Sequence, residues 1–203
     1  MSTDTPIEDN TTPIEVEDTS TTDAQAEVTA LNTQARQHLA QGEWEQAIAL
    51  YEQVQGLLHD AEDVAGEAEA VNNIAGVYLA LEEWEQALEF AEQARAMLQA
   101  VGDQQAEATT LNNIAAAHNG MGNWPQASAI YEEALGMRRT LGDAEGEAKT
   151  LRNLAILFAQ HGNRNKAKTY LNKALITAKR AKSRALVAAI RKTMSQLPRF
   201  RRR

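Results

Sequence analysis

The chain contains no cysteine, which excludes disulfides and thiolate metal sites and fits a reducing compartment. Aromatic residues make up only 5% of it, although 43% of the residues are apolar. A core of that size drawn mostly from Ala, Leu and Ile needs close approach of backbones, which packed helices allow better than a sheet. No apolar run approaches the ~20 residues that a membrane helix requires. The first residues are acidic and Thr-rich and hold no apolar stretch of the kind that marks a secretory signal. The chain therefore reads as soluble and cytoplasmic. At 203 residues it has room for one domain, or two at most.

Acidic side chains are absent from residues 162–203, which carry fourteen bases, and basic ones are absent from residues 1–27, which carry eight acids. Between them, residues 28–161 hold twenty acids and six bases, and the whole sums to −8. Such separation of sign along one chain points to charged ends that meet partners of opposite charge.

Catalytic signatures are missing too. There is no phosphate loop and no His-Glu-x-x-His pair. GMGNWP at Gly120–Pro125 follows a helical pattern and lacks the last Gly of a dinucleotide fingerprint. GDAEGE at Gly142–Glu147 is in register with GDQQAE and reads as a turn between repeats. The four His, at 38, 59, 118 and 161, are scattered. His38 and His118 fall on an apolar helical face and read as packing residues. His59 and His161 fall near helix ends, where they can favour the negative pole of the dipole. No catalytic residue, cofactor site or metal site is expected.

What the chain does have is a period of 40. VNNIAGVY at Val71–Tyr78, LNNIAAAH at Leu111–His118 and LRNLAILF at Leu151–Phe158 are in register, with a weaker LNTQARQH at Leu31–His38. Downstream follow GEWEQA from Gly42, EEWEQA from Glu82, GNWPQA from Gly122 and GNRNKA from Gly162. Val71, Ile74, Ala75 and Tyr78 keep the i, i+3, i+4, i+7 spacing of a buried helical face, as do Ala87, Phe90, Ala91 and Ala94. Gly42, Gly122 and Gly162 mark the turn between the two helices, where a positive φ is needed. Gly-Asp pairs mark the turn to the next repeat. Trp44, Trp84 and Trp124 stand at the corner between the helices and read as turn packing.

This pattern resembles the tetratricopeptide repeat family. Leu31, Val71, Leu111 and Leu151 match its large apolar position in helix A, and Ala35, Ala75, Ala115 and Ala155 its small one. Tyr78 and Phe158 take the aromatic slot, with His38 and His118 standing in. Ala47, Ala87, Ala127 and Ala167 match the helix crossing; Ala94, Ala134 and Ala174 match a second small position, where Val54 departs. The period exceeds the family's common ~34, as in the longer-helix variants of spindle-orientation adaptors and kinesin light chains. The resemblance implies an all-α, right-handed superhelical solenoid of helix–turn–helix repeats: four repeats (about 26–61, 66–101, 106–141 and 146–180) within residues 24–181. A basic amphipathic capping helix and Arg-rich tail (182–203) would follow, making nine helices. Leu186, Ile190 and Met194, with Val187 and Leu197, supply the cap's apolar stripe. Residues 1–23, acidic and with nine Ser or Thr, are expected to be disordered. They contain TPIE twice, at Thr5–Glu8 and Thr12–Glu15. The two copies read either as a solvating tail or as a duplicated recognition or phosphorylation motif.

Two candidate sites follow. The first is a ladder of amides, Asn72, Asn73, Asn112, Asn113 and Asn153, with Asn32 in the first repeat and Arg152 in the fourth. Asn is a mediocre helix residue, because its amide competes for backbone bonds, so its recurrence needs a reason. Hydrogen bonding between helices is one. The resemblance implies another: helix A faces a concave groove, where amides pair with the main chain of an extended peptide. Arg36, Lys149 and Arg152 would there read an acidic side chain or a carboxylate. The second site is the basic end: Lys179, Arg180, Lys182, Arg184, Arg191, Lys192, Arg199, Arg201, Arg202 and Arg203. It suits an acidic protein, the chain's own acidic tail, nucleic acid or anionic membrane. Aromatic interleaving is nearly absent, which weakens base stacking. Acids on helix B such as Glu82, Glu83, Glu85 and Glu92 read as a solvated face. The expected function is a non-catalytic protein-binding adaptor, scaffold or assembly factor holding a protein or peptide in the groove; the alternative is a tether to nucleic acid or membrane through the basic end.

Overall fold

A computed structural model describes residues 19–196, with side chains from residue 24. Expectations for residues 1–18, including both TPIE copies, and for Leu197, Arg199, Arg201, Arg202 and Arg203 lie outside the described residues. Nine α-helices and no strand occupy the described part: α1 (Thr19–Gln41), α2 (Trp44–Asp60), α3 (Val64–Ala80), α4 (Trp84–Val101), α5 (Gln104–Gly120), α6 (Trp124–Leu141), α7 (Ala144–Gln160), α8 (Arg164–Arg180) and α9 (Arg184–Gln196). The fold is the all-α superhelical solenoid expected. Helix α1 begins at Thr19, within the stretch expected to be disordered.

Each link contains one residue in the left-handed region. Gly42, Gly102, Gly122, Gly142 and Gly162 take φ between 70° and 83°; Glu62, Glu82 and Lys182 take 56° to 60°. At every link an amide two residues past the helix end reaches back to a carbonyl of the last turn, as Glu43 N–H does to His38 O at 2.9 Å. This closes the orphan carbonyls of the helix. Asp63, Asp103 and Asp143 then cap the next helix, accepting from the amides of Gly66, Ala106 and Gly146 at 2.8–2.9 Å. Within the repeats only Asn163 caps in this way, accepting from Lys166 N–H at 3.1 Å; Glu43, Glu83 and Asn123 make no such bond.

Small residues set the helix spacing. Ala35, Ala75, Ala115 and Ala155 on the odd-numbered helices, and Ala47, Ala87, Ala127 and Ala167 on the even-numbered ones, are completely buried. Larger residues fill the layers between them, among them Ile74, Leu111, Leu154 and Leu171. The aromatic slot packs Tyr78 on Phe90, with ring centroids 5.2 Å apart, and Phe158 on Tyr170 at 5.4 Å. His118 is buried in the same slot. Trp44 packs against a cluster of Ala35, Ala47, Tyr51, Ile74 and Val77, Trp84 lies over the Gly120 backbone, and Trp124 stacks on His161 at 5.2 Å.

A second ladder ties each repeat to the one before. Glu67, Glu107 and Glu147, 40 residues apart, lie near the start of α3, α5 and α7 and accept from the preceding even-numbered helix. Glu67 takes Gln55 (3.3 Å) and lies 3.1 Å from the His59 ring nitrogen. Glu107 takes Arg95 and Gln99; Glu147 takes Arg139 at 3.0 Å and, from α8, Arg180 at 2.6 Å. Sequence reasoning passed over these glutamates, although their own 40-residue recurrence was a usable signal.

Candidate functional site: the inner face of the odd-numbered helices

Consecutive helices pack on each other throughout, and α3 also packs on α5, α5 on α7 and α7 on α9. The even-numbered helices make no comparable contact among themselves. The array is therefore tightest along α3, α5, α7 and α9 and curves with the odd-numbered helices on its inner side. The half-buried residues there come from one face of each helix: Asn32, Asn72, Asn73, Asn112, Asn113, Arg152 and Asn153.

Two hollows open on this face. One, of about 220 Å³ between α1 and α3, is lined by polar groups including Thr29, Asn32, Arg36, Asp63, Glu69 and Asn73. The other, of about 210 Å³ between α3 and α5, is lined by Glu69, Asn72, Asn73, Thr109 and Thr110 over Leu98 and Ala106. Glu69 and Asn73 belong to both. Glu69 is exposed as a residue, yet its carboxyl is held above the ordinary carboxylate pKa, first by burial in the recess and then by the charges of Asp103 and Asp63. No base among the described residues forms an ion pair with it. On the opposite wall stands Arg36; burial raises the pKa of the nearby Tyr51 phenol, and the Arg36 charge opposes the rise.

The structure thus places Arg36 with Asn73 in the first hollow and Asn72 with Asn73 in the second, and gives several of the other candidates structural partners. Asn113 donates to the Asn72 side-chain oxygen (2.9 Å) and backbone carbonyl (3.3 Å), joining α5 to α3. Arg152 donates to Thr193 Oγ1 at 2.9 Å, the equivalent link from α7 to α9. Asn112 donates to the Ala108 carbonyl one turn back, and its own oxygen is buried without a partner. Lys149 pairs with Glu145 on the surface of α7 at 3.0 Å, and Asn153 lies on that same helix. Glu69 and Thr109 were not foreseen. They occupy the register position of Lys149, one helical turn before the Asn pair and so on the same face.

At the far end, Lys179, Lys182, Arg184 and Arg191 surround a hollow of about 500 Å³ between α8 and α9, floored by Ala178, Val187 and Ala188. Arg180 is drawn away to Glu147, and Lys192 is exposed elsewhere on α9. Among the described residues no group of His, Asp or Glu could hold a metal ion, and no helix is long and apolar enough to cross a membrane.

The sequence matches a family profile, the tetratricopeptide repeat, over residues 26–100 and 106–179. No curated protein matches it significantly. Among solved structures it is similar to aspartyl phosphate phosphatase F from Bacillus subtilis, with TM-score 0.70 and 14% identity over 82% of this chain and 44% of that one. It is similar also to the Rap conjugation gene regulator of plasmid pLS20 in complex with the Phr* peptide, with TM-score 0.65, 16% identity, and 91% and 53% coverage. A kinesin light chain repeat protein from Podosopora anserina gives TM-score 0.57 and 20% identity, covering 77% of each chain. The chain spans about half the length of the first two structures.

Proposed function

The chain belongs to the tetratricopeptide repeat family, and from that premise we propose that it is a non-catalytic adaptor whose inner face holds an extended segment of a protein partner. The observation that carries this reading is the pair of hollows joined at Glu69 and Asn73. An unpaired carboxylate and an unengaged amide stand there at a helical interval on one face. The amide serves either polarity of a peptide bond, as donor and acceptor. Glu69, crowded by Asp63 and Asp103, favours a Lys or Arg of the bound segment, because a cation relieves both its desolvation and its like-charge neighbours. Arg36, at the other end of the first hollow, suits an acidic group on the same segment. The Phr* peptide bound to one structurally similar protein supports a peptide as the kind of ligand this architecture accepts.

The test is selection of extended peptides against the full chain from a display library, with affinities read by fluorescence anisotropy. Selected peptides are expected to carry a basic residue and to lose at least about ten-fold in affinity with Glu69→Lys or Asn73→Ala. A library that yields no binder, or binders indifferent to both substitutions, would remove the groove from consideration.

A further inference from the structure

A glycine inside a helix costs stability relative to alanine, because it gives up more backbone freedom on folding. Packing explains it at Gly66, Gly120 and Gly146, where a Cβ would strike Asp63, Trp84 and Arg138 respectively. At Gly56, Gly76 and Gly136, also inside helices, a Cβ would meet nothing within 4 Å. No packing within the described residues calls for glycine at these three. Gly56 and Gly136 share one register position on even-numbered helices and are exposed. Gly76 differs from them in place. It is half-buried on α3 and completes an i, i+3, i+4, i+7 stripe with Glu69, Asn72 and Asn73. It therefore lies on the inner face, about 10 Å along the helix from Glu69.

On α5, which packs on α3, the same register position holds Ala116, and on α7 it holds Ile156. All three are half-buried. Side chains at this level thus grow from nothing on α3 to a methyl on α5 and a full aliphatic group on α7, and the space left over is greatest at Gly76. One turn back along α3 stand Asn72 and Asn73, and one turn on stand Leu79 and Ala80. The floor at Gly76 is helix backbone, whose amides and carbonyls are already paired along the helix. A polar group set on it would give up water for no new hydrogen bond, whereas an apolar one loses nothing. We propose that Gly76 floors a subsite for a bulky apolar or aromatic side chain of the bound segment, beside the basic residue received by Glu69. This rests on the reading that the inner face holds an extended segment, and adds to it what the segment must carry.

Parallel selection of extended peptides from a display library against the full wild-type chain and against Gly76→Leu tests the subsite. Wild type is expected to enrich peptides with both a basic and a bulky apolar residue, and Gly76→Leu to keep the first and lose the second. By fluorescence anisotropy, a peptide selected on wild type should bind Gly76→Leu at least about ten-fold more weakly. Replacing its bulky residue by Ala should remove most of that difference, the mark of two groups in contact. Gly76→Ala should raise the melting midpoint by about 1–4 °C and yet weaken the same peptide. Gly56→Ala should raise the midpoint as much and leave the affinity alone. A merely structural Gly76 would move stability and not affinity. Peptides weakened by Glu69→Lys but bound by Gly76→Leu as tightly as by wild type would overturn the subsite and leave the groove standing. A wild-type selection that yields no binder would overturn both.

Discussion

Asp143→Asn should cost this protein far more stability than Asp103→Asn, although both aspartates cap a helix in the same register. The difference lies in Arg138. It occupies the position of Leu58 and Leu98 in the earlier repeats, and there a guanidinium is only 5% exposed. It bonds to Asp143 and to Thr109 Oγ1 at 3.0 Å, and its Nε has no partner. Asn and Asp are nearly equivalent as caps, so Asp103→Asn should change stability by only a few tenths of a kcal/mol. Removing the charge at 143 leaves a buried cation uncompensated, a loss of about 3–5 kcal/mol. At about 3 kcal/mol the midpoint falls by roughly 6–12 °C for a chain of this size. Circular dichroism melts of the two variants measure it. Arg138→Leu restores the apolar residue of the other repeats and should be neutral or stabilising. In that background Asp143→Asn should cost no more than Asp103→Asn. Acid titration gives a second reading. Burial alone would raise the Asp143 pKa, but the bond from Gly146 N–H and the Arg138 charge outweigh it and hold it below the ordinary value. A depressed pKa stabilises above the unfolded value, near 3.9, and that stabilisation is lost as pH falls through the folded one. The gap between wild type and Asp143→Asn should therefore close below about pH 4. Equal melting of Asp143→Asn and Asp103→Asn at neutral pH would refute the reasoning.

A Cβ on Gly146 would strike Arg138 and Asp143, so Gly146→Ala should destabilise by about 1–3 kcal/mol. It should become nearly neutral with Arg138→Leu, as Ala106 opposite Leu98 already is; the same melts show it. Leu154, fully buried in the largest core cluster, should lose about 2–5 kcal/mol on Leu154→Ala, read by urea unfolding. Asn113→Ala breaks the link to Asn72 and should cost about 1 kcal/mol, with hydrogen exchange accelerated at the α3–α5 contact.

Periodicity carried most of the architecture. Position-by-position recurrence of Ala47, Ala87, Ala127 and Ala167 located the helix crossings, because only a small side chain fits there. Boundaries were less legible: α1 starts at Thr19, and Glu82 supplies the positive φ that glycine supplies in the other repeats. The inner face was legible as a row of amides but not in its division of labour. Asn72 and Asn113 sit one residue apart in register and meet across two helices, a geometry that depends on how the repeats tilt. Glu69 escaped notice because its register partners are Thr29, Thr109 and Lys149, so no recurrence marks it. Arg138 is the converse. Its break with Leu58 and Leu98 was visible in the sequence, but only the packing shows that it is buried.

The central claim is that partners lie along the inner face. A photo-cross-linking residue placed at Asn73, at Thr109 or, as an outer-face control, at exposed Glu92 tests it in the native cell. The account predicts that the same partner is captured from Asn73 and Thr109 and not from Glu92. Capture from Glu92 alone, or equally from all three, would contradict it.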